Sequence, residues 1–369
     1  MSRSIALFLF IFQSSLFAQP NGAFKIIGIC KYYDNQNILV QGGAFFQDYN
    51  DFTFERDGSD ADKNSFRNIR VTNGQFIING KLRYPHPFAF SYYDEGNNRG
   101  YTSTIFFVDD GNVSVEVGDL SKDRSLGSLS LSKSNVEYSH LRRLYSACID
   151  TVTGEILDMP GKQRILQKYI AVHPESYVAL WDMVLDYPFV KSDSIKKIIL
   201  SNTQYFSYEL KRTRTYKAFV SNIEHDLELG VGEKFPNIRI GSADSIYSIV
   251  GINEYTLVDF WFSSCKPCLQ QFPEFKDIYM RYKSKKFEIV GISVDSWKYF
   301  ENWQAVIKKF DLTWVQYLDL GGIESDRMYI RKFPTNYLIN RKGQIVGRDI
   351  SPKELKYILQ NKLDTDGLD

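Results

Sequence analysis

The chain has 369 residues, 43% of them hydrophobic and 24% charged, with a formal net charge of +1. Length and composition suit two or three globular domains at roughly 100–200 residues each and exclude bulk disorder. The near-zero charge gives no electrostatic ground for a nucleic-acid partner, and the 15% aromatic content, mostly Tyr and Phe, favours strands and packed surfaces.

The chain opens with MSRSIALFLFIFQSSLFAQP. Arg3 is a short basic start, Ile5 to Phe12 is an unbroken apolar run, and Leu16-Phe17-Ala18 resembles a cleavage site. Residues 1–18 are therefore expected to be a secretory signal, cut after Ala18. The competing reading is an N-terminal membrane anchor, but the apolar run is shorter than the ~20 residues a spanning helix needs. No cysteine directly follows the run to carry a lipid. The mature chain is expected to be soluble and exported, in a compartment where disulfides persist.

Residues 24–122 form the next expected domain, a β-rich one. FKIIGICKYY, NILVQGGAFF, NIRVTNGQFIING, PFAFSYYD, TSTIFFVDD and NVSVEVGDL are short runs rich in β-branched and aromatic residues. Asn73-Gly74, Asn79-Gly80 and Asp110-Gly111-Asn112 read as turns between them. The pattern predicts an antiparallel sandwich or barrel. His86, between two prolines, reads as an inert loop histidine. Asp57–Asn64 loosely resembles a calcium loop but lacks its mid-loop Gly and final Glu.

Residues 134–226 read as a helical segment. In HPESYVALWDMVLDYP, Pro174 suits a first turn, Tyr177, Trp181, Val184 and Leu185 share a face, and Tyr187-Pro188 ends the helix. KSDSIKKIIL and RTYKAFVSNIEHDLEL are further helices. Leu141, Leu144, Tyr145 and Cys148 fall on one helical face, so Cys148 reads as a small buried apolar residue. Cys30 lies in a strand-like run, and a Cys30–Cys148 bridge stays open.

From residue 228 to 365, strands and helices alternate. YTLVDFWF is an almost continuous apolar strand, as in a sheet buried on both faces. A helix follows with Phe272, Phe275, Tyr279 and Tyr282 on one face. Then come the strand FEIVGISVD, the helix WKYFENWQAVIKKF, a hairpin across Arg341-Lys342-Gly343, and a last helix opened by Ser351, Pro352 and Glu354. A βαβ unit followed by ββα means a mixed sheet covered by helices.

Cys265 and Cys268 sit where the first strand meets its helix. Residues three apart face each other in a first helical turn, with Cα atoms at about 5–6 Å, which suits a disulfide. Free N–H groups and the helix dipole favour a thiolate there, and Lys266 adds positive charge. Cys265 is expected to be the exposed nucleophile and Cys268 the resolving thiol. Pro267 lacks only an N–H that the first turn leaves unused. A zinc site needs about four ligands, whereas there is no second Cys-x-x-Cys and the four histidines are scattered. A purely structural staple gains little from so small a loop. Redox use is the reading that remains beside a βαβ pattern.

TLVDFWFSSCKPC resembles the active-site strand and loop of thioredoxins, and residues 228–365 resemble the TlpA/ResA-like branch of exported bacterial thiol-disulfide oxidoreductases. Pro273 matches a proline of that family's active-site helix. Phe333-Pro334-Thr335 matches its cis-proline loop, so the resemblance implies a cis Pro334 facing the disulfide. It also implies substrate contacts from Lys266, Pro267, Phe333, Pro334 and Thr335, and a periplasmic setting. Membrane contact is expected only if the N-terminal segment is retained, then as an anchor on the outer face of the inner membrane. Partners would be protein thiols and disulfides and a thiol-disulfide electron donor. No metal and no cofactor beyond the Cys265–Cys268 disulfide are expected. The β-rich and helical segments loosely resemble an N-terminal extension, of unknown function, on some such proteins.

Asp259 lies inside the apolar strand. A buried carboxyl there has a raised pKa and can act as proton acceptor for the resolving thiol. Thioredoxins carry Asp at this position, whereas the TlpA/ResA-like branch often has Asn there and a Glu in the helix. Gln271 stands in place of that Glu and cannot exchange a proton near neutral pH, so proton handling falls to Asp259. Ser264 replaces the Trp usual in thioredoxins. The expected activity is thiol-disulfide exchange, run as a reductase. The rival readings are a peroxiredoxin-like peroxidase, for which the Pro and Thr before a single cysteine are missing, and a binding protein whose β-rich domain carries the main role.

Overall fold

The computed structural model describes residues 22–43, 49–55, 66–97, 99–129, 132–150, 153–238, 251–330 and 332–364. The expected signal and the calcium-like stretch Asp57–Asn64 lie outside the described residues. The described chain divides into two compact units: one runs to Phe189 and takes in Asn202–Ala218, the other comprises Val190–Ser201 and Phe219–Asp369.

Among its described residues the first unit carries ten strands: β1 (Gly22–Ile29), β2 (Asn37–Gly42), β3 (Phe52–Phe54), β4 (Phe66–Arg70), β5 (Gln75–Leu82), β6 (His86–Asp94), β7 (Arg99–Thr102), β8 (Phe106–Val108), β9 (Gly111–Val117) and β10 (Leu126–Leu129). One sheet runs β10-β9-β1-β5-β3; the other runs β4-β2-β6-β7, with β8 also on β6. Alternation along the strands explains the layering. Phe24, Ile26, Phe76, Ile78, Val113 and Val115 point from the first sheet into a core shared with Val40, Phe88, Phe90 and Phe106 of the second. This is the predicted sandwich with one departure: β1 pairs with β9 in parallel.

Two local expectations are corrected. Asn79-Gly80 is no turn but lies inside β5, where a Cβ on Gly80 would collide with the Phe24 ring and the Thr53 carbonyl. Close packing, not chain reversal, requires glycine here. His86 is no loop residue: it starts β6, is fully buried edge-on to Trp181, and its Nε2 meets Asn50 Oδ1 at 3.1 Å. Burial pushes its imidazole down to about 3, so it stays neutral. Asn73-Gly74 does turn the chain, with φ of 53° and 67°.

The helices begin with α1 (Lys133–Leu144), α2 (Met159–Val172), α3 (Tyr177–Asp186), α4 (Asp193–Thr203), α5 (Tyr208–Lys211) and α6 (Arg214–Glu228). The division between units falls inside α4 and α6. Pro174 stands outside α3, because Ser176 is its N-cap and accepts from the Ala179 N–H. Helix α3 is buried on every side rather than on one face. Its one buried charge, Asp182, accepts from Tyr145 Oη at 2.8 Å and pairs with buried Lys162 at 2.9 Å. Cys148 sits in a 3-10 turn after α1, not on its face, and both Cys148 and Cys30 are buried and free. Cys30 lies just past the end of β1.

The second unit holds β11 (Tyr255–Trp261), α7 (Lys266–Tyr282), β12 (Phe287–Ser293), α8 (Phe300–Phe310), β13 (Val315–Leu318), α9 (Ile323–Arg327), β14 (Thr335–Asn340), β15 (Ile345–Arg348) and α10 (Pro352–Leu363). The sheet order is β13-β12-β11-β14-β15, with β11, β12 and β13 parallel and β14 antiparallel to both of its neighbours, β11 and β15. Sequence reading missed β13, a four-residue, partly exposed edge strand. Central β11 is buried on both faces, which is why its sequence is nearly all apolar. Leu257 and Trp261 face the cluster holding α7 and α10, while Val258 and Phe260 face the other side.

Candidate active site

Strand β11 delivers the chain to a short loop, and α7 begins at once. Cys265 is the N-cap of α7, and the Cys268 N–H donates to its Sγ at 3.3 Å. The two cysteines form a disulfide with Cα atoms 5.3 Å apart. Phe272, Phe275, Tyr279 and Tyr282 seat α7 on the sheet, as expected. Pro267 lies in the first turn, and Pro273 lies inside the helix.

The expected exposure of Cys265 is corrected: the residue is 3% exposed. It belongs to one apolar cluster with Trp261, Phe272 and the half-buried Phe262 and Phe333. Ser264, Lys266 and Pro267 are exposed on either side of it. Phe333 stands edge-on to Phe262 at 5.3 Å, so the Phe333-Pro334 loop borders the cysteine cluster. The Phe333–Pro334 peptide is cis. Thr335 is buried at the start of β14, and its hydroxyl donates to the Lys332 carbonyl at 2.8 Å.

Asp259 lies between Leu257 and Trp261 on β11, and strand alternation puts all three on the face that α7 covers. It is 3% exposed, and burial alone pushes its carboxyl up to about 8. Its Oδ1 has no hydrogen-bond partner. Gln271 is one turn along from Cys268 on α7, and its buried Oε1 is likewise unpartnered.

One support of the site escaped sequence reading. Asp295, just after β12, accepts from the Ser263 N–H and Oγ at 2.8 Å each and from Ser293 Oγ at 2.7 Å. It thereby ties the loop before Cys265 to the neighbouring strand. The signal was an acid directly following a buried strand, in GISVD. Hydrogen bonds to a charged group contribute roughly 1.5–3 kcal/mol each, with overlap between them. Asp295→Ala is expected to cost about 3 kcal/mol, read as a lower denaturant midpoint, and Ser263→Ala about 1 kcal/mol. A wild-type midpoint for Asp295→Ala would show that the loop is held otherwise.

Among the described residues, no cluster of three or more His, Cys, Asp or Glu could hold a metal ion, and no helix is long and apolar enough to cross a membrane.

Residues 253–345 match a family model described as thioredoxin-like. The chain is 30% identical over 135 residues to the thiol-disulfide oxidoreductase ResA of Oceanobacillus iheyensis, an alignment covering 35% of this chain and 69% of that protein. The chain belongs to the ResA family of thiol-disulfide oxidoreductases. It is also 32% identical over 108 residues to sporulation thiol-disulfide oxidoreductase A of Bacillus subtilis, covering 28% and 64% of the two chains. Among solved structures it is similar to the thioredoxin domain of a Bacteroides vulgatus thiol-disulfide oxidoreductase, at 28% identity and a TM-score of 0.34 over 37% of this chain and 99% of that one. The ResA relationship and the Cys265–Cys268 pair together make this an enzyme of thiol-disulfide exchange with a C-terminal thioredoxin-like domain.

Proposed function

We propose that the ResA-type site works as a reductase of exported proteins. The observation that carries the direction is the burial of Cys265 in an apolar cluster. A couple is strongly oxidising when its reduced, thiolate form is stabilised, and apolar burial opposes that charge. Cys265 as thiolate attacks a substrate disulfide and forms a mixed disulfide, and one substrate sulfur leaves. Cys268 gives its proton to Asp259, attacks Cys265 Sγ and expels the second substrate sulfur. The enzyme ends oxidised and the substrate reduced. Exposed Lys266 and Pro267, with Phe333 and Pro334, line the approach to Cys265, and buried Thr335 anchors the loop.

The apolar run Ile5–Phe12 followed by Ala18 supports export to the periplasm after removal of residues 1–18. Residues 24–122, 134–226 and 228–365 then serve as β-rich, helical and catalytic parts, and a thiol-disulfide donor reduces the Cys265–Cys268 disulfide again after each turnover. Equilibration of the Cys265–Cys268 pair with glutathione tests the direction. A potential near −270 mV is expected, and one near −120 mV would make the enzyme an oxidase.

A further inference from the structure

Strand register puts three residues in one row across the sheet: Asp259 on β11 opposite Gly291 on β12, and Gly291 opposite Gln316 on β13. Residues in such a row share a face. Gly291 has no side chain, and the Gln316 amide occupies that space, so a Cβ on Gly291 would collide with its Oε1, Cδ and Nε2. With strands about 4.8 Å apart, an amide lying over the middle strand reaches toward the first. Trp261 Nε1 donates to Gln316 Oε1 at 3.3 Å, which fixes the sense of the amide and leaves Nε2 as the free end. That Nε2 is buried without a hydrogen-bond partner, and so is Asp259 Oδ1. An unpaired buried donor beside an unpaired buried acceptor is costly unless some state of the molecule joins them.

We propose that Gln316 is a positioning residue for the resolving step, donating from Nε2 to the Asp259 carboxylate as it takes the Cys268 proton. The inference rests on the reading of Asp259 as proton acceptor. Neither neighbour of Asp259 on β14 or α7 leaves a buried donor unpaired. Asn336, opposite Asp259 on β14, is engaged with the Ile350 backbone through Nδ2 at 3.0 Å and Oδ1 at 2.9 Å. From α7, Gln271 leaves an acceptor, Oε1, unpaired. Gly291 offers no side chain, and Cys268 is the titratable group of the pair on this face. No charged group contributes to the shift of Asp259, which burial alone raises. The proton passes from Cys268 Sγ to the carboxylate; the sulfur keeps its electron pair and bonds to Cys265 Sγ. The Cys265–substrate bond breaks, and the substrate sulfur leaves with that pair. A donor that favours the carboxylate raises the fraction of enzyme ready to accept the proton at neutral pH.

The test is stopped-flow reaction of the reduced full chain with 5,5′-dithiobis(2-nitrobenzoate), following the second thiolate release, which reports resolution, from pH 5 to 10. Gln316→Met is expected to move the midpoint up by about one pH unit, making resolution roughly tenfold slower at pH 7. Gln316→Glu, nearly equal in volume, moves it the same way, whereas Gln316→Lys moves it down. In an Asp259→Asn background, Gln316→Met changes the rate by less than about twofold, because the coupled partner is gone. An unmoved midpoint in both Gln316→Met and Gln316→Glu, with Asp259→Asn still slow, overturns the role of Gln316 and leaves Asp259 in place. Wild-type resolution in Asp259→Asn overturns both.

Discussion

Cys268→Ser is expected to stop turnover after a single attack, leaving the chain joined to its substrate. Cys265 still opens the substrate disulfide, but no second thiol reaches its Sγ, and a serine hydroxyl does not act as a thiolate near neutral pH. Steady-state exchange falls by at least about a thousandfold, since the resolving nucleophile rather than its activation is lost. Intact-mass measurement should show one substrate adduct per chain, removed by excess dithiothreitol. Cys265→Ser gives the same loss of turnover with no adduct. An adduct on Cys265→Ser of the same yield would reverse the two assignments. Cys30 and Cys148 are present in both variants, so the difference in adduct between the two reports the redox pair alone. Rapid turnover by Cys268→Ser would mean that the pair does not work as a couple.

Asp259→Asn separates catalysis from stability in opposite directions. A positioned proton acceptor contributes typically 10²–10⁴-fold, and a loss of roughly a hundredfold in the resolving step at pH 7 is expected, with the first attack little changed. The variant should nevertheless be more stable. Burial lifts the folded carboxyl from 3.8 to about 8. Between about pH 4 and 8 the folded chain therefore keeps a proton that the unfolded chain has released. Stability contributed by this group is complete below about pH 4 and declines as pH rises toward 8, by at most about 1.4 kcal/mol per pH unit. Asparagine cannot ionise, so the variant loses that decline, and its advantage over wild type grows with pH across the window. Denaturant midpoints at pH 5, 7 and 8.5 check this. A constant difference between the two proteins would mean that Asp259 titrates alike in both states.

What was legible in the sequence follows local chemistry. The Cys-x-x-Cys at a strand-to-helix junction, the capped last helix at Ser351 and the apolar run around Asp259 each carry their signal within a few residues. All three stand in the structure where that signal put them. Features set by tertiary packing were not legible. Strand β13 has four residues and half-exposed side chains, too short for a period to register. Gln316 matters only because register places it across Gly291 from Asp259. Asn79-Gly80 reads as a turn until the Phe24 ring beneath it is known. His86 between two prolines reads as loop until Trp181 covers it. Burial of Cys265 depends on Phe333, which is 68 residues along the chain by its number, and no motif encodes the density of that contact.

The two unpaired cysteines have a practical meaning for an enzyme whose own chemistry is promiscuous toward sulfur. Cys30 is fully enclosed, and burial pushes its thiol up to about 11, so almost none of it is thiolate at neutral pH. Cys148 is enclosed as well. The protein thus carries thiols that its own exchange reaction does not consume while the first unit stays folded. They form a built-in unfolding gauge. With the Cys265–Cys268 pair held as its disulfide, alkylation of Cys30 and Cys148 is expected to mark the opening of the first unit.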